Sequence, residues 1–139
     1  MTRTLEMQFI QYMNFFERAI GLRAKHCFSY NSTIFFVVSP ALVPRALGNG
    51  AENLKRLSIM LRRKIRIIAA PSSANDAKEF ISRLVYPLEI NGFTIEGKEG
   101  CILAPRQSRA MIIGRNKTKL VELEGVLKEY FGIKKLRVI

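Results

Sequence analysis

The sequence predicts an α+β fold of two similar units, each a three-stranded sheet with helices packed on one face. Three observations lead there. An apolar residue, a glycine, a short polar loop and a leucine-bearing helix occur in that order twice, around Gly48 and Gly114, which stand 66 residues apart. Each copy then runs into a basic, β-branched segment, Lys64 to Ile68 and Lys135 to Ile139. Ahead of each glycine, two β-prone runs follow a helix-spaced apolar pattern, so that strands and helices segregate along the chain.

Each element has its own reason. Leu5, Phe9, Tyr12, Met13, Phe16 and Ile20 recur at helical spacing, which predicts a helix from Thr4, as N-cap, to Ile20, ended by Gly21. Lys25 to Tyr30 and Thr33 to Ser39 have strand character and pair as a hairpin through Asn31-Ser32. Pro40 stops the second strand, and Leu42 to Leu47 forms a short helix that tolerates Pro44 in its first turn. Beyond Gly48, the stripe Leu54, Leu57, Leu61 predicts a helix to Arg62, and Ile65 to Ala69 is the closing strand. A breaker-rich linker at residues 71–74 separates domain 1 (residues 1–70) from domain 2 (residues 75–139). In the second unit Asp76 and Glu79 open a helix bearing Phe80, Ile81, Leu84 and Val85, which Pro87 ends. Leu88 to Glu96 and Gly100 to Ala104 are the next strands, joined at Gly97-Lys98. A turn helix, the Gly114 loop, a helix from Thr118 to Tyr130 and a final strand complete the repeat.

Composition narrows the function. The 139 residues carry 23 Lys+Arg against 11 Asp+Glu, a net charge of +12. Both halves are basic, which implies a polyanionic partner, most commonly nucleic acid. A merely solubilising charge would not account for paired glycine turns. Hydrophobic content of 48% is ample for a globular core. Cys27 and Cys101 are isolated, matching a reducing, cytoplasmic setting and no zinc site, and they are expected to be buried thiols. His26 is the only histidine, so no His-based catalytic pair can form. No apolar run is long enough to span a bilayer, and the N-terminal segment lacks the pattern of a signal peptide. Neither turn reads G-x-x-x-x-G-K-[ST], and Glu52, Glu122 and Glu124 form no matched acid pair, so a non-enzyme without cofactors is expected.

The motif Leu47, Gly48-Asn49-Gly50-Ala51, Leu54 and its partner Ile113, Gly114-Arg115-Asn116-Lys117, Leu120 resemble the G-x-x-G signature of type II KH domains. The tandem arrangement, the opening helix with Tyr12, Asn14, Phe16, Glu17 and Gly21, and the ending Tyr130-Phe131-Gly132-Ile133 resemble the archaeal NusA family. The resemblance implies two tandem type II KH domains that bind single-stranded RNA in transcription termination or antitermination. It also implies RNA polymerase as a candidate partner. KH domains of this type occur in ribosomal proteins too, so a ribosome-associated or RNA-processing role is the alternative. The family's second glycine is Ala51 in one copy and Lys117 in the other. Lys117 either replaces close approach with a charge contact or marks a weakened site.

The chemistry follows from the turns. Backbone amides of residues 49–52 and 115–118, at the start of a helix, favour a phosphate. Around them the expected RNA contacts are Arg45, Gly48, Asn49, Gly50, Ala51 and Lys55 in the first unit, with Arg56 nearby. In the second they are Arg109, Gly114, Arg115, Asn116, Lys117 and Lys119. The basic side chains add salt-dependent affinity with little sequence choice. The KH resemblance implies that bases lie in a groove beside the turn helices, supported by Leu54, Leu57, Leu120 and Leu123, with about four nucleotides per unit. Of Phe35 and Phe36, adjacent on a strand, at most one can be exposed. Replacing Gly48 or Gly114 by Asp is expected to repel a phosphate while keeping the fold.

Overall fold

The computed structural model describes residues 2–139, with side chains from Met7 onward. Six α-helices and six strands follow along these residues in the order α-β-β-α-α-β, twice, and the chain divides into two compact units with the boundary between Ala70 and Pro71. No helix among them is long and apolar enough to cross a membrane.

In the first unit, helix α1 (Thr2–Ile20) precedes β1 (His26–Tyr30) and β2 (Thr33–Val38). The helix begins two residues before the expected Thr4 cap; the side chains of Thr4 and Leu5 lie outside the described residues. Strands β1 and β2 form the antiparallel hairpin, turning at Asn31 and Ser32, which both take positive φ. Helices α2 (Val43–Leu47) and α3 (Glu52–Leu61) then return the chain to β3 (Lys64–Ala69), parallel to β2. The sheet order is β1-β2-β3.

Alternation along β2 decides what lies on each face. Ile34, Phe36 and Val38 meet Ile65 and Ile67 of β3, Phe16 of α1 and Leu57 of α3 in one core. The Phe16 and Phe36 rings stack at 4.6 Å. On the other face the register aligns Phe28, Phe35 and Arg66 in a row across the sheet. Phe28 and Phe35 stack at 5.3 Å, and the Arg66 guanidinium lies 5.2 Å from the Phe35 centroid. Phe35 and Phe36 are thus both buried, and neither is offered for stacking on a base.

The second unit repeats this order with α4 (Ala77–Val85), β4 (Gly92–Glu96), β5 (Glu99–Leu103), α5 (Arg106–Ile113), α6 (Thr118–Phe131) and β6 (Lys135–Val138). β4 and β5 are antiparallel, β5 and β6 parallel, and the sheet order is β4-β5-β6. Residues 71–74 lead directly into α4: Ser73 Oγ accepts the Asn75 amide at 3.2 Å, and the Asp76 carboxylate accepts from the Ser72 amide and hydroxyl. The Ser72 hydroxyl, then its amide, hold the Asp76 carboxyl below the ordinary carboxylate range. Strand β4 begins at Gly92, not at the expected Leu88. The apolar alternation of Leu88 and Ile90 belongs to a turn, in which the Leu88 amide donates to Val85 O at 2.9 Å.

Phe80, Ile81, Leu84, Ile102, Ile112, Leu123, Leu127 and Ile133 form the buried interior of this unit. Phe93 pairs with Ile102, the position that Cys27 and Phe36 hold in the first unit. Beside them Gly100 stands where the first unit has Ile34. A Cβ there would lie 3.0 Å from both Phe93 Cζ and Ile133 Cδ1. At the outer edge, Glu124 Oε2 of α6 accepts the Leu136 amide of β6 at 2.9 Å.

Candidate nucleic-acid interface

Both glycine turns are built the same way. The short helix ahead of each ends when the glycine amide bonds back one turn, Gly48 to Pro44 O at 3.0 Å and Gly114 to Ala110 O at 2.9 Å. The glycines then adopt φ 80, ψ 177 and φ 78, ψ 169. Positive φ with extended ψ is open to glycine and essentially to nothing else. A 3-10 turn follows, with Ala51 N donating to Gly48 O at 3.2 Å and Lys117 N to Gly114 O at 3.1 Å. Its last two residues are left-handed in both copies: Gly50 (φ 60) with Ala51 (φ 58), and Asn116 (φ 57) with Lys117 (φ 61). Glycine and asparagine tolerate this conformation, whereas Ala51 and Lys117 each bear about 1–2 kcal/mol of strain. The second glycine of G-x-x-G is therefore missing where a left-handed backbone persists.

This geometry revises the expected phosphate donors. The amides of Ala51 and Lys117 close the turn, and those of Glu52 and Thr118 bond to Asn49 O and Arg115 O. The amides left for a ligand are those of residues 49 and 50, and of 115 and 116. Asp at Gly48 or Gly114 would also not leave the turn intact. Besides the strained φ, a Cβ on Gly48 would sit 3.0 Å from the Asn53 side chain and 3.2 Å from its amide nitrogen. A Cβ on Gly114 would sit 2.7 Å from Lys119 Cγ.

The side chains divide by what holds them. Arg45, Asn49, Gly50, Lys55, Arg115, Asn116 and Lys117 are exposed, and Ala51 is half-buried. Arg109 is exposed too, but its Nε donates to Ala104 O at 3.0 Å, which ties the guanidinium to the end of β5. Arg56 donates to Ala19 O at 2.8 Å and joins α3 to α1. These two arginines are structural braces before they are RNA contacts. Leu57 and Leu123 are fully buried, so only Leu54 and Leu120 keep surface to support a groove.

Asn53 was not among the expected site residues. It packs against Gly48 and its Nδ2 donates to Arg45 O at 3.4 Å. The 66-residue offset pairs it with Lys119, which packs against Gly114 in the same way; that pairing was the available signal. Elsewhere, His26 is exposed, Cys101 is buried, and Cys27 is only half-buried, although burial pushes its thiol up to about 12.

No protein-family profile matches the chain. It is 28% identical, over 97% of its own length and 79% of the relative's, to a protein from Methanococcus vannielii named "Probable transcription termination protein NusA". A protein of the same name from Methanocaldococcus jannaschii is 24% identical, over 94% of this chain and 72% of that one. The chain is thus a distant homologue of archaeal NusA-like proteins over nearly its whole length. Among solved structures, the crystal structure of APE1850 matches with a TM-score of 0.70 at 21% identity, over 96% of this chain and 99% of that one. The α+β architecture is therefore shared with a known structure.

Proposed function

We propose that the chain is a single-stranded RNA-binding protein acting in transcription termination or antitermination. It works in the cytoplasm through two tandem type II KH domains and does no chemistry of its own. The observation that carries this reading is the repeated turn. Two copies of one unusual backbone each open a helix and present two amides beside basic side chains. In a chain of net charge +12 a phosphate backbone is the partner such a turn fits. The transcriptional role rests on the names of the two relatives, and a contact with RNA polymerase belongs to the same proposal.

Fluorescence anisotropy with short single-stranded RNAs across a salt series tests it. The useful variants are Gly50→Asp and Asn116→Asp, because Asp tolerates a left-handed backbone and a Cβ at Gly50 meets nothing within 4 Å. Each is expected to weaken binding at least fivefold with an unchanged circular dichroism spectrum. Affinity equal to wild type in both variants would make the turns features of the fold alone. Co-sedimentation with ribosomal subunits, in place of free RNA binding, would favour a ribosome-associated role.

A further inference from the structure

The two turns share a backbone and differ in charge. Position by position, Asn49, Ala51 and Asn53 of the first become Arg115, Lys117 and Lys119 of the second, while Glu52 becomes Thr118. The six residues starting at the glycine therefore carry −1 in the first copy and +3 in the second. The fold does not require this. Ala51 takes the same left-handed conformation as Lys117 without a charge, and Asn53 covers Gly48 as the Lys119 stem covers Gly114.

The contrast is confined to the turns themselves: just outside them Arg45, Lys55 and Arg56 flank the first, while Met111, Val121 and Glu122 hold the matching positions of the second. Among the described residues no acidic side chain bridges Arg115, Lys117 or Lys119, and Arg115 and Lys117 are exposed. Three cations of like sign within five residues repel one another, a cost that an anion between them would relieve. In the first turn, Glu52 lies in the opening turn of α3 and already supplies the negative charge that the helix dipole favours. A phosphate arriving there meets a carboxylate. The first turn of α6 has no acidic residue.

Resting on the KH reading above, we propose that the second turn is the phosphate anchor, gripping the RNA backbone through Arg115, Lys117 and Lys119. The first turn meets its strand through the uncharged groups of Asn49, Gly50 and Ala51. Lys117 thus replaces close approach with charge, and its unfavourable backbone is kept because the side chain it carries is used.

The test compares four variants of the full chain by anisotropy on a single-stranded oligonucleotide RNA, from low to high salt. Arg115→Asn/Lys117→Ala/Lys119→Asn installs the residues that the same backbone carries in the first turn. Arg45→Gln/Lys55→Gln removes cations beside the first turn, and Lys78→Gln/Lys128→Gln removes exposed ones elsewhere. Each single-strand phosphate contact contributes about 0.7 to the slope of log affinity against log salt. The triple variant is expected to lose about 2 from that slope and about 100-fold in affinity near 0.1 M salt. Lys117→Gly alone, which also relieves the strained backbone, should lose about 0.7 and guards against a folding artefact.

A triple variant and a Lys117→Gly variant with the wild-type slope would overturn the division of labour, as would an equal or larger loss in the first-turn pair. Either result would leave RNA binding itself standing. Wild-type protein that does not bind, or a loss per charge as large in the remote pair, would remove the KH reading and this proposal together.

Discussion

In the first unit Phe36 fills the middle of the sheet beside Cys27; in the second the large ring has moved to the edge strand, where Phe93 lies beside Ile102 and over Gly100. The registers of the two hairpins are the same under the 66-residue offset, while the longer α6 brings β6 in at Lys135 opposite Glu99, and the volumes are exchanged between neighbouring strands. The glycine turns behave in the opposite way, with backbone angles agreeing within 10° at the glycines while the side chains change from neutral to cationic. A core tolerates redistribution as long as its summed volume holds. A turn with a residue outside the ordinary backbone regions has no such freedom.

Substitutions can break this comparison at several depths. The largest effect is expected from Phe36→Ala, which removes a ring with no exposed surface and the stacking with Phe16; urea unfolding should show a loss of about 3–5 kcal/mol. A loss under about 1 kcal/mol would mean that Cys27 and its neighbours close the space. Next come Gly48→Ala and Gly114→Ala, each expected to cost about 3 kcal/mol in the same assay, because the strained φ adds to the contacts a Cβ would make. Unequal costs would show that the Lys119 stem yields where Asn53, with its backbone amide close by, does not. Gly100→Ala should cost about 2 kcal/mol by overpacking Phe93 and Ile133. Pairing it with Phe93→Leu should recover part of that loss if the ring is what demands the glycine.

Ala51→Gly and Lys117→Gly are expected to stabilise by up to about 1 kcal/mol, since relief of left-handed strain exceeds the entropy glycine adds to the unfolded chain. A lower melting temperature in both would contradict the strain assigned to these positions. The smallest effect concerns Cys27, whose counterpart Phe93 cannot ionise. Burial raises its thiol from 9.0 to about 12, so the folded state favours the neutral form. Its contribution to stability is complete below pH 9 and is lost as pH rises towards 12. Alkylation of Cys27 by iodoacetamide, followed by peptide mass spectrometry, should be slow, with a rate that keeps climbing about tenfold per pH unit through pH 10. A rate that levels off above pH 9 would place the thiol in water.

Much of the fold was legible because its signals are local and duplicated. The stripe Leu54, Leu57, Leu61 and the run from Thr33 onward are strong by themselves, and the 66-residue offset aligned each turn with its partner. What escaped were features set by the third dimension. Leu88 and Ile90 alternate as a strand would, but their backbone is spent on a turn after α4. Arg56 and Arg109 look like RNA contacts in a basic sequence, and only folding brings Ala19 O and Ala104 O within their reach. The candidate site was legible in its residues but not in its donors. Nothing in Gly-Asn-Gly-Ala or Gly-Arg-Asn-Lys reveals that the third and fourth residues turn left-handed, or that the amides of the fourth residue and the one after it bond back into the loop.

The Glu124 carboxylate on the Leu136 amide has a consequence for the company the protein keeps. β6 is an edge strand, and an edge amide facing outward is the hook by which a foreign strand extends a sheet. With that amide held by a side chain from its own covering helix, an incoming strand must first displace a charged acceptor. Glu124 thus guards this stretch of the β6 edge against strand addition.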